Sequence, residues 1–212
     1  MHKNKINNTS DGRNGLKRKI LETAMELFKK NGVKKIKMDD IANNLSISKR
    51  TLYEIYGNKE ILLLECIKYN DERLEQDLEC YADKAENEID IIVYFIKNKL
   101  HELDTTSPAF FCDINKYPTV VDYLHRTHHS DNKSDRHDFF LKGIEHGFFM
   151  PSFNIEIISK FINITMKHVI ETEMYRKYSL KEIFHNLILL MIRGCCTEKG
   201  IRQLDKFLAE NR

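Results

Sequence analysis

The sequence predicts an all-α fold, in which a three-helix helix-turn-helix domain is followed by a larger helical domain, with about nine helices in total. Apolar residues recur mostly three and four positions apart, and no region shows the sustained alternation that marks a strand. Only 8 glycines and 3 prolines interrupt the 212 residues, so few positions break helices.

Positive charge is concentrated at the N-terminal end. Residues 1–62 carry 14 Lys and Arg against 7 Asp and Glu, a net +7, whereas residues 63–212 carry 20 against 25, a net −5. This asymmetry is typical of a polyanion-binding module joined to an acidic domain, although a solvated basic surface would show the same counts. We predict a disordered basic arm at 1–13, a helix-turn-helix domain at 14–62 and a helical domain at 63–212.

The sequence lacks the marks of a membrane or secreted protein. No stretch approaches the roughly 18 apolar residues that cross a bilayer, and the polar N-terminus has no apolar run behind its charges. We therefore expect a cytoplasmic protein with no membrane partner.

The cysteines are odd in number and show no CxxC spacing, so we expect them to be free and buried, with no metal or other cofactor. They are Cys66, Cys80, Cys112, Cys195 and Cys196.

Three helices are predicted in the helix-turn-helix domain. The first runs from Asn14 to Lys30 and ends at Asn31-Gly32, because glycine permits the left-handed termination of a helix. An apolar face between Met38 and Leu45 marks the second helix. Ser48 is a good N-cap for the third helix, which is about two turns long. A long fourth helix is predicted at Lys59–Ala82.

The third helix carries the polar groups that a recognition helix needs. Its spacing turns Leu52 and Ile55 inward. The outward set consists of Lys49, Arg50, Thr51 and Tyr53. These groups can donate to phosphates and base edges, and the N-terminal turn at Ser48 offers free backbone N–H groups to a phosphate. A short turn between the second and third helices is the arrangement in which the third enters the major groove of DNA.

Residues 20–63 carry a long spaced pattern. It reads Ile20-Leu21-x-x-Ala24-x-x-Leu27-Phe28, Gly32, Met38-x-x-Ile41-Ala42, Ile47-Ser48, Thr51-Leu52-Tyr53-x-x-Tyr56 and Lys59-Glu60-x-Leu62. This pattern resembles the DNA-binding domain of the TetR family. The resemblance implies DNA contacts for Ser48, Lys49, Arg50, Thr51 and Tyr53, and places Tyr56 and Lys59 near backbone phosphates.

Two positions depart from the usual pattern of the family. Lys37 stands where the family commonly has Thr or Ser as the cap of the second helix, and Ser46 stands where it commonly has Gly in the turn. We expect Lys37 to replace the capping hydrogen bond with a direct phosphate contact, which adds it to the DNA-binding set. Ser46 has to adopt a turn conformation that glycine reaches more easily.

The second domain is predicted to contain five further helices. They span Glu86–Leu103, Ser107–Lys116, Pro118–Gly147, Asn154–Lys177 and Leu180–Arg193, with an interruption at the polar Ser130–Arg136 and a restart near Lys199. This layout is similar to the TetR-family regulatory domain, in which the last two long helices form the dimer interface. The resemblance assigns that interface to Ile157, Phe161, Ile164, Val169, Phe184, Leu187, Ile188 and Met191. The alternative is that both helices are buried within one monomer.

Two further groups of side chains suggest ligand sites. A pocket for an apolar or aromatic effector is predicted among the middle helices, with core packing as the alternative; its residues are Tyr94, Phe95, Phe110, Phe111, Tyr117, Tyr123, Phe139 and Phe140. The spacing of His125, His128, His129 and His137 is compatible with a shared helix face. Zinc needs convergent ligands with supporting partners, and the polar residues that follow favour solvated histidines instead.

Together these features predict a homodimeric, ligand-responsive repressor that binds a palindromic double-stranded DNA operator and has no catalytic activity. Nucleotide-binding, metalloprotease and hydrolase motifs are absent from the sequence. One alternative is an all-helical small-molecule-binding protein or enzyme that keeps the helix-turn-helix as a relic. Another is an effector-independent DNA-binding activator.

Overall fold

The computed structural model describes the backbone of residues 7–129 and 133–210. Within these ranges the chain forms eleven α-helices and no strand, which confirms the all-α prediction. The helices are α1 (Asn7–Asn31), α2 (Met38–Asn44), α3 (Lys49–Tyr56), α4 (Lys59–Ala82), α5 (Glu88–Thr105), α6 (Pro108–Ile114), α7 (Pro118–His129), α8 (Lys133–Glu145), α9 (Ile155–Glu171), α10 (Leu180–Cys195) and α11 (Glu198–Glu210). A short 3-10 helix at Met174–Arg176 precedes α10.

Some helix boundaries differ from the prediction. α1 begins at Asn7, so residues 7–13, which were predicted to be disordered, are helical. This segment has no apolar face, so hydrophobic periodicity could not mark it as a helix. Pro118–Gly147 is two helices, α7 and α8, and residues 130–132 between them lie outside the described ranges. The predicted restart after α10 is α11, which begins at Glu198.

Contacts divide the chain into two compact units. The N-terminal unit comprises residues 1–73 and 109–125, so α6 and most of α7 belong with the first helices. The C-terminal unit comprises residues 74–108 and 126–212. The continuous ranges 14–62 and 63–212 were drawn from sequence order, which cannot show that a later segment packs with an earlier one.

One apolar core holds the N-terminal unit together. Its fully buried members include Ile20, Ala24, Phe28, Ile41, Leu52, Leu62, Leu63 and Cys66. Phe110 and Ile114 of α6 and Val120 of α7 complete it. Burial of each large apolar side chain contributes about 1.5–3 kcal/mol, so this shared core fixes α2 and α3 against α1 and α4.

In the C-terminal unit α5 contacts α8, α10 and α11. Ile89 and Val93 of α5 pack in a core with Phe149, Cys196 and Leu204.

All five cysteines are free, as predicted. Cys66, Cys195 and Cys196 are buried, whereas Cys112 is only partly buried and Cys80 is exposed, so the expectation of burial was wrong at Cys80.

Two charged side chains hold the turn between α1 and α2. The Lys59 ammonium of α4 donates to the carbonyl oxygens of Val33 and Ile36, each at 3.0 Å. Oδ2 of Asp113 in α6 accepts the backbone N–H of Lys34 at 2.8 Å. Side chains from two other helices therefore satisfy three backbone groups of this turn, which fixes the chain directly before α2.

Gly32 ends α1 at a position that requires glycine. Its φ is 83°, and an added Cβ would lie 3.0 Å from both Ala109 Cβ and Asp113 Oδ2. We expect Gly32→Ala to lower the free energy of unfolding by about 1–3 kcal/mol, measured by chemical denaturation.

Gly15→Ala is the matched control for this substitution. Gly15 lies within α1 and an added Cβ would meet nothing within 4 Å, so this change should stabilise the protein by about 0.5–1 kcal/mol. Equal effects of the two substitutions would contradict the role assigned to Gly32.

Candidate DNA-binding surface

The turn between α2 and α3 contains a residue in the left-handed conformation. Ser46 has a φ of 53°, which confirms that it adopts a conformation glycine reaches more easily. The turn is closed by the N–H of Ser46, which donates to Asn43 O at 3.1 Å, and by the N–H of Ile47, which donates to Ala42 O at 3.0 Å. These hydrogen bonds offset a conformational cost of about 1–2 kcal/mol for a residue other than glycine.

α3 begins at the predicted cap. Ser48 Oγ accepts the backbone N–H of Thr51 at 3.0 Å and lies 2.8 Å from the Thr51 hydroxyl. Leu52 is fully buried and Ile55 packs against the same core, as their inward spacing predicted. Gly57 ends the helix with a φ of 63°. The helix is therefore anchored along its inner face and capped at its start.

The outer face of α3 presents two cations and an aromatic ring to solvent. Lys49 and Arg50 are exposed, and Tyr53 is 40% exposed. The Lys49 Nζ lies 5.8 Å from the centroid of the Tyr53 ring. Thr51, which was predicted to point outward, is partly buried, and its hydroxyl contacts the cap. This face offers donors for phosphates and base edges together with an aromatic surface.

A carboxylate pairs with each of these cations. Lys49 Nζ lies 2.8 Å from Asp39 Oδ1, and Arg50 Nε lies 2.8 Å from Glu54 Oε1. The hydrogen bond to Asp39 raises the pKa of the Lys49 ammonium. Sequence reasoning placed neither acid in the DNA-binding set. The signal for Glu54 was its position four residues after Arg50, whereas the approach of Asp39 depends on the turn between the two helices.

Tyr56 and Lys59 belong to the framework behind this face. Tyr56 is 7% exposed, and its hydroxyl donates to Lys17 O at 3.4 Å. Burial raises the pKa of the Tyr56 hydroxyl to about 12. Burial also lowers the pKa of the Lys59 ammonium, an effect that the nearby Asp113 charge partly offsets. The resemblance placed both residues near phosphates, but here the polar atoms of both are engaged by backbone carbonyls.

The turn before α2 adds exposed cations. Lys35 and Lys37 are both exposed. The backbone N–H of Lys37 donates to Asp40 Oδ2 at 2.7 Å, so Asp40 supplies a capping hydrogen bond at the start of α2. Sequence reasoning named Lys37 and missed Lys35, for which the run Lys34-Lys35-x-Lys37 was the available signal.

Four of the predicted pocket residues lie in the N-terminal unit. Phe110 is buried in its core, and Phe111, Tyr117 and Tyr123 pack against that core. The rings of Phe110 and Phe111 meet edge to face with their centroids 5.5 Å apart. This packing favours the core role that the sequence left as the alternative, and a pocket role for these four side chains stays a prediction.

The other four predicted pocket residues lie in the C-terminal unit. Phe139 and Phe140 pack against its core. Tyr94 stacks on Tyr81 with a centroid distance of 4.0 Å, and Phe95 is 37% exposed. The eight predicted pocket residues are therefore divided between the two units. The effector pocket stays a prediction.

Three of the predicted dimer residues form an exposed apolar face on α9. Ile157, Phe161 and Ile164 are 51%, 55% and 65% exposed and follow one another at helical spacing. Leu190 of α10, which sequence reasoning missed, is 72% exposed. Contiguous exposed apolar patches are typical of interaction sites, and the dimer interface on this face stays a prediction.

The remaining predicted dimer residues are less accessible. Val169, Phe184 and Ile188 are buried within the C-terminal unit, so their assignment to an interface is corrected to core packing. Leu187 and Met191 are partly buried. Periodicity identified the apolar positions of α9 and α10 but could not separate those that face their own unit from those that face outward.

The histidine run provides no evidence of a metal site. The side chains of His125, His128, His129 and His137 lie outside the described residues. Among the side chains that the structure does describe, no group of three or more His, Cys, Asp or Glu is placed to hold a metal ion.

No helix in the described part of the chain is both long and apolar enough to cross a membrane.

Comparisons with known proteins agree with this geometry. Residues 20–66 match the family model for bacterial regulatory proteins of the tetR family. No curated protein matches the chain.

Solved structures share the fold over most of both chains. A TetR-family transcriptional regulator from Agrobacterium tumefaciens is similar at a TM-score of 0.65 and 13% identity, covering 85% of this chain and 97% of its own. A protein described as a transcriptional regulator from Saccharomonospora viridis, in complex with choline, gives 0.63 and 16%, covering 87% and 100%. The fatty acid degradation regulator FadR from Bacillus halodurans gives 0.57 and 16%, covering 83% and 94%.

The family match covers α2, α3 and the surface they carry, and the structural matches extend over both units. Residues 20–66 therefore match the model for the tetR family of bacterial regulatory proteins, and the chain has, over most of its length, the fold of TetR-type transcriptional regulators.

Proposed function

We propose that the protein is a homodimeric, sequence-specific repressor that leaves a palindromic operator when a small apolar or aromatic effector binds. The observation that carries this proposal is the outer face of α3, where Lys49, Arg50 and Tyr53 are exposed while Leu52 is fully buried. An amphipathic helix presented in this way fits the major groove, with Arg and Lys as donors to guanine O6 and N7. The proposal assigns no catalytic activity.

The exposed lysines before α2 support a role in phosphate binding. Lys35 and Lys37 are exposed directly before α2, and exposed ammonium groups attract the phosphates of DNA. Lys59 does not belong to this set, because its ammonium donates to two carbonyls of the turn. In this proposal Lys59 supports the phosphate-binding turn from within.

The exposed apolar face of α9 supports dimerisation. A second copy of this chain would cover Ile157, Phe161 and Ile164 through a twofold interface in which the same surface contributes from each subunit. Dimerisation also fits the DNA, because two recognition helices spaced one helical turn apart, about 34–36 Å, read the halves of a palindrome.

The release step is supported by similarity to a regulator that binds a small molecule, the Saccharomonospora viridis protein in complex with choline. An effector would release the operator by binding more tightly to a dimer whose recognition helices are wrongly spaced for DNA.

The first experiment is a titration of fluorescent DNA from upstream of the gene with scrambled competitor at two salt concentrations. Specific binding that resists the competitor supports the proposal, and binding that the competitor removes counts against it.

Tyr53→Ala should weaken specific DNA binding by about 5- to 150-fold, because an exposed group of α3 that reads a base contributes about 1–3 kcal/mol of discrimination. Tyr178→Ala is a matched control. Tyr178 is 45% exposed and Lys177 Nζ lies 5.1 Å from its ring centroid, much as Lys49 lies over Tyr53. Equal losses in the two variants would refute the role of Tyr53.

Lys37→Ala should weaken binding to all DNA sequences and reduce the slope of log affinity against log salt by about one unit, because one phosphate contact is lost. Lys59→Met serves as a comparison, since it should instead lower the midpoint of thermal unfolding by leaving two turn carbonyls without their donor. Salt titrations combined with circular dichroism melts separate the two roles. An unchanged salt slope in Lys37→Ala would rule out its phosphate contact.

Phe161→Glu should convert the dimer to a monomer, because a charge in the apolar face cannot be buried against its twofold copy without a partner. Leu141→Glu is the control, since Leu141 is an apolar residue of α8 that is 42% exposed. Sedimentation velocity measures the outcome. A Phe161→Glu protein that sediments as the wild type would show that this face is not the interface.

A further inference from the structure

The charges of α3 run against its helix dipole. Lys49 and Arg50 lie in the first turn and Glu54 lies in the C-terminal half, and the helix has no acid in its first turn and no base in its last. The dipole favours the reverse arrangement, with acids first and bases last. These charges therefore do not stabilise the helix. α3 is held instead by the Ser48 cap and by the burial of Leu52.

The two carboxylates also contribute little as ion pairs. The side chains of Lys49 and Asp39 are 59% and 50% exposed, and those of Arg50 and Glu54 are 88% and 58% exposed. Exposed pairs of this kind contribute about 0–1 kcal/mol to stability. On a surface that meets a polyanion, each carboxylate instead opposes binding, because phosphates repel it and compete with it for the same cation.

The contact with Glu54 occupies one part of the Arg50 guanidinium. Nε of Arg50 donates to Glu54 Oε1 at 2.8 Å, and the terminal amino groups take no part in this bond. A guanidinium has five donors in a fixed plane, so the terminal groups can approach guanine O6 and N7 together while Nε remains on the carboxylate. A base edge can therefore bind the terminal amino groups of Arg50 without displacing Glu54 from Nε.

We propose that Asp39 and Glu54 are specificity-determining residues of the DNA-binding surface. The proposal rests on the proposed function and names how the site discriminates among sequences. On arbitrary DNA, Lys49 and Arg50 exchange a carboxylate for a phosphate, and the released carboxylate faces the phosphate backbone. On the operator, Arg50 binds a base edge without releasing Glu54, and the ammonium of Lys49, which has three donors, binds a base edge while it keeps its hydrogen bond to Asp39. In this proposal the two acids lower affinity for arbitrary DNA more than affinity for the operator.

The test compares Asp39→Asn and Glu54→Gln with the wild-type protein. The probes are a pool of random-sequence duplexes and the duplex that the wild-type protein enriches from that pool. We expect each substitution to raise affinity for the random pool by about two- to fivefold, the factor that corresponds to an exposed ion pair. Affinity for the enriched duplex should change less, so the ratio of the two affinities should fall.

Glu171→Gln is the matched control. Glu171 pairs with Lys167 four residues before it on α9, in the same order as Arg50 and Glu54, and its side chain is 56% exposed. This variant changes the net charge equally and should leave both affinities as they are. Thermal unfolding of all variants shows that each is folded.

Each outcome decides the inference. A fall in discrimination for Asp39→Asn and Glu54→Gln alone supports it. Equal rises in both affinities, or the same rise in Glu171→Gln, would show a general charge effect and overturn it. If Asp39→Asn and Glu54→Gln lose affinity for the enriched duplex and gain none for the random pool, the acids act only by contacting bases. That outcome would also overturn the inference. A wild-type protein that enriches no duplex would overturn the proposed function and this inference together.

Discussion

The orientation of α3 depends on burial of its inner face in the core shared by α1, α2 and α4. The helix has only 8 residues, and an isolated helix of this length is unstable in water. Leu52 is fully buried, Tyr56 is nearly so, and Ser48 caps the first turn. Because these contacts hold the inner face, the outer residues are free of any structural task and can be charged, exposed and arranged against the helix dipole.

The lysines of the N-terminal unit show the same division between framework and surface. Lys59 turns inward and donates to two carbonyls of the turn before α2. Asp113 accepts a backbone N–H of that turn. Burial raises the pKa of the Asp113 carboxyl, but hydrogen bonds from Lys116 and from the backbone of Lys34 outweigh it, so its pKa lies below its ordinary value. Asp113 therefore stays ionised at neutral pH and helps to fix the exposed lysines in place.

The C-terminal unit shows a different constraint, since α9 is apolar on more than one face. Val169 packs inward while Phe161 and Ile164 are exposed. A helix whose apolar surface extends beyond one stripe requires burial on more than one side. The C-terminal unit buries only part of this apolar surface, which is the physical basis for the proposed dimer interface.

Sequence alone determined the fold class, the positions of α2 and α3, the cap at Ser48, the strained turn at Ser46 and the outward set of Lys49, Arg50 and Tyr53. These features depend on short-range spacing and on the conformational preferences of single residues, which a sequence displays directly. Only the tertiary structure placed α6 in the N-terminal unit, turned Lys59 and Tyr56 into framework residues, and brought Asp39 to Lys49. It also separated the aromatic residues of the middle helices between two units and divided the apolar positions of α9 and α10 into buried and exposed sets. Those outcomes depend on which helices pack together, and helical periodicity shows that a face is apolar without showing what covers it.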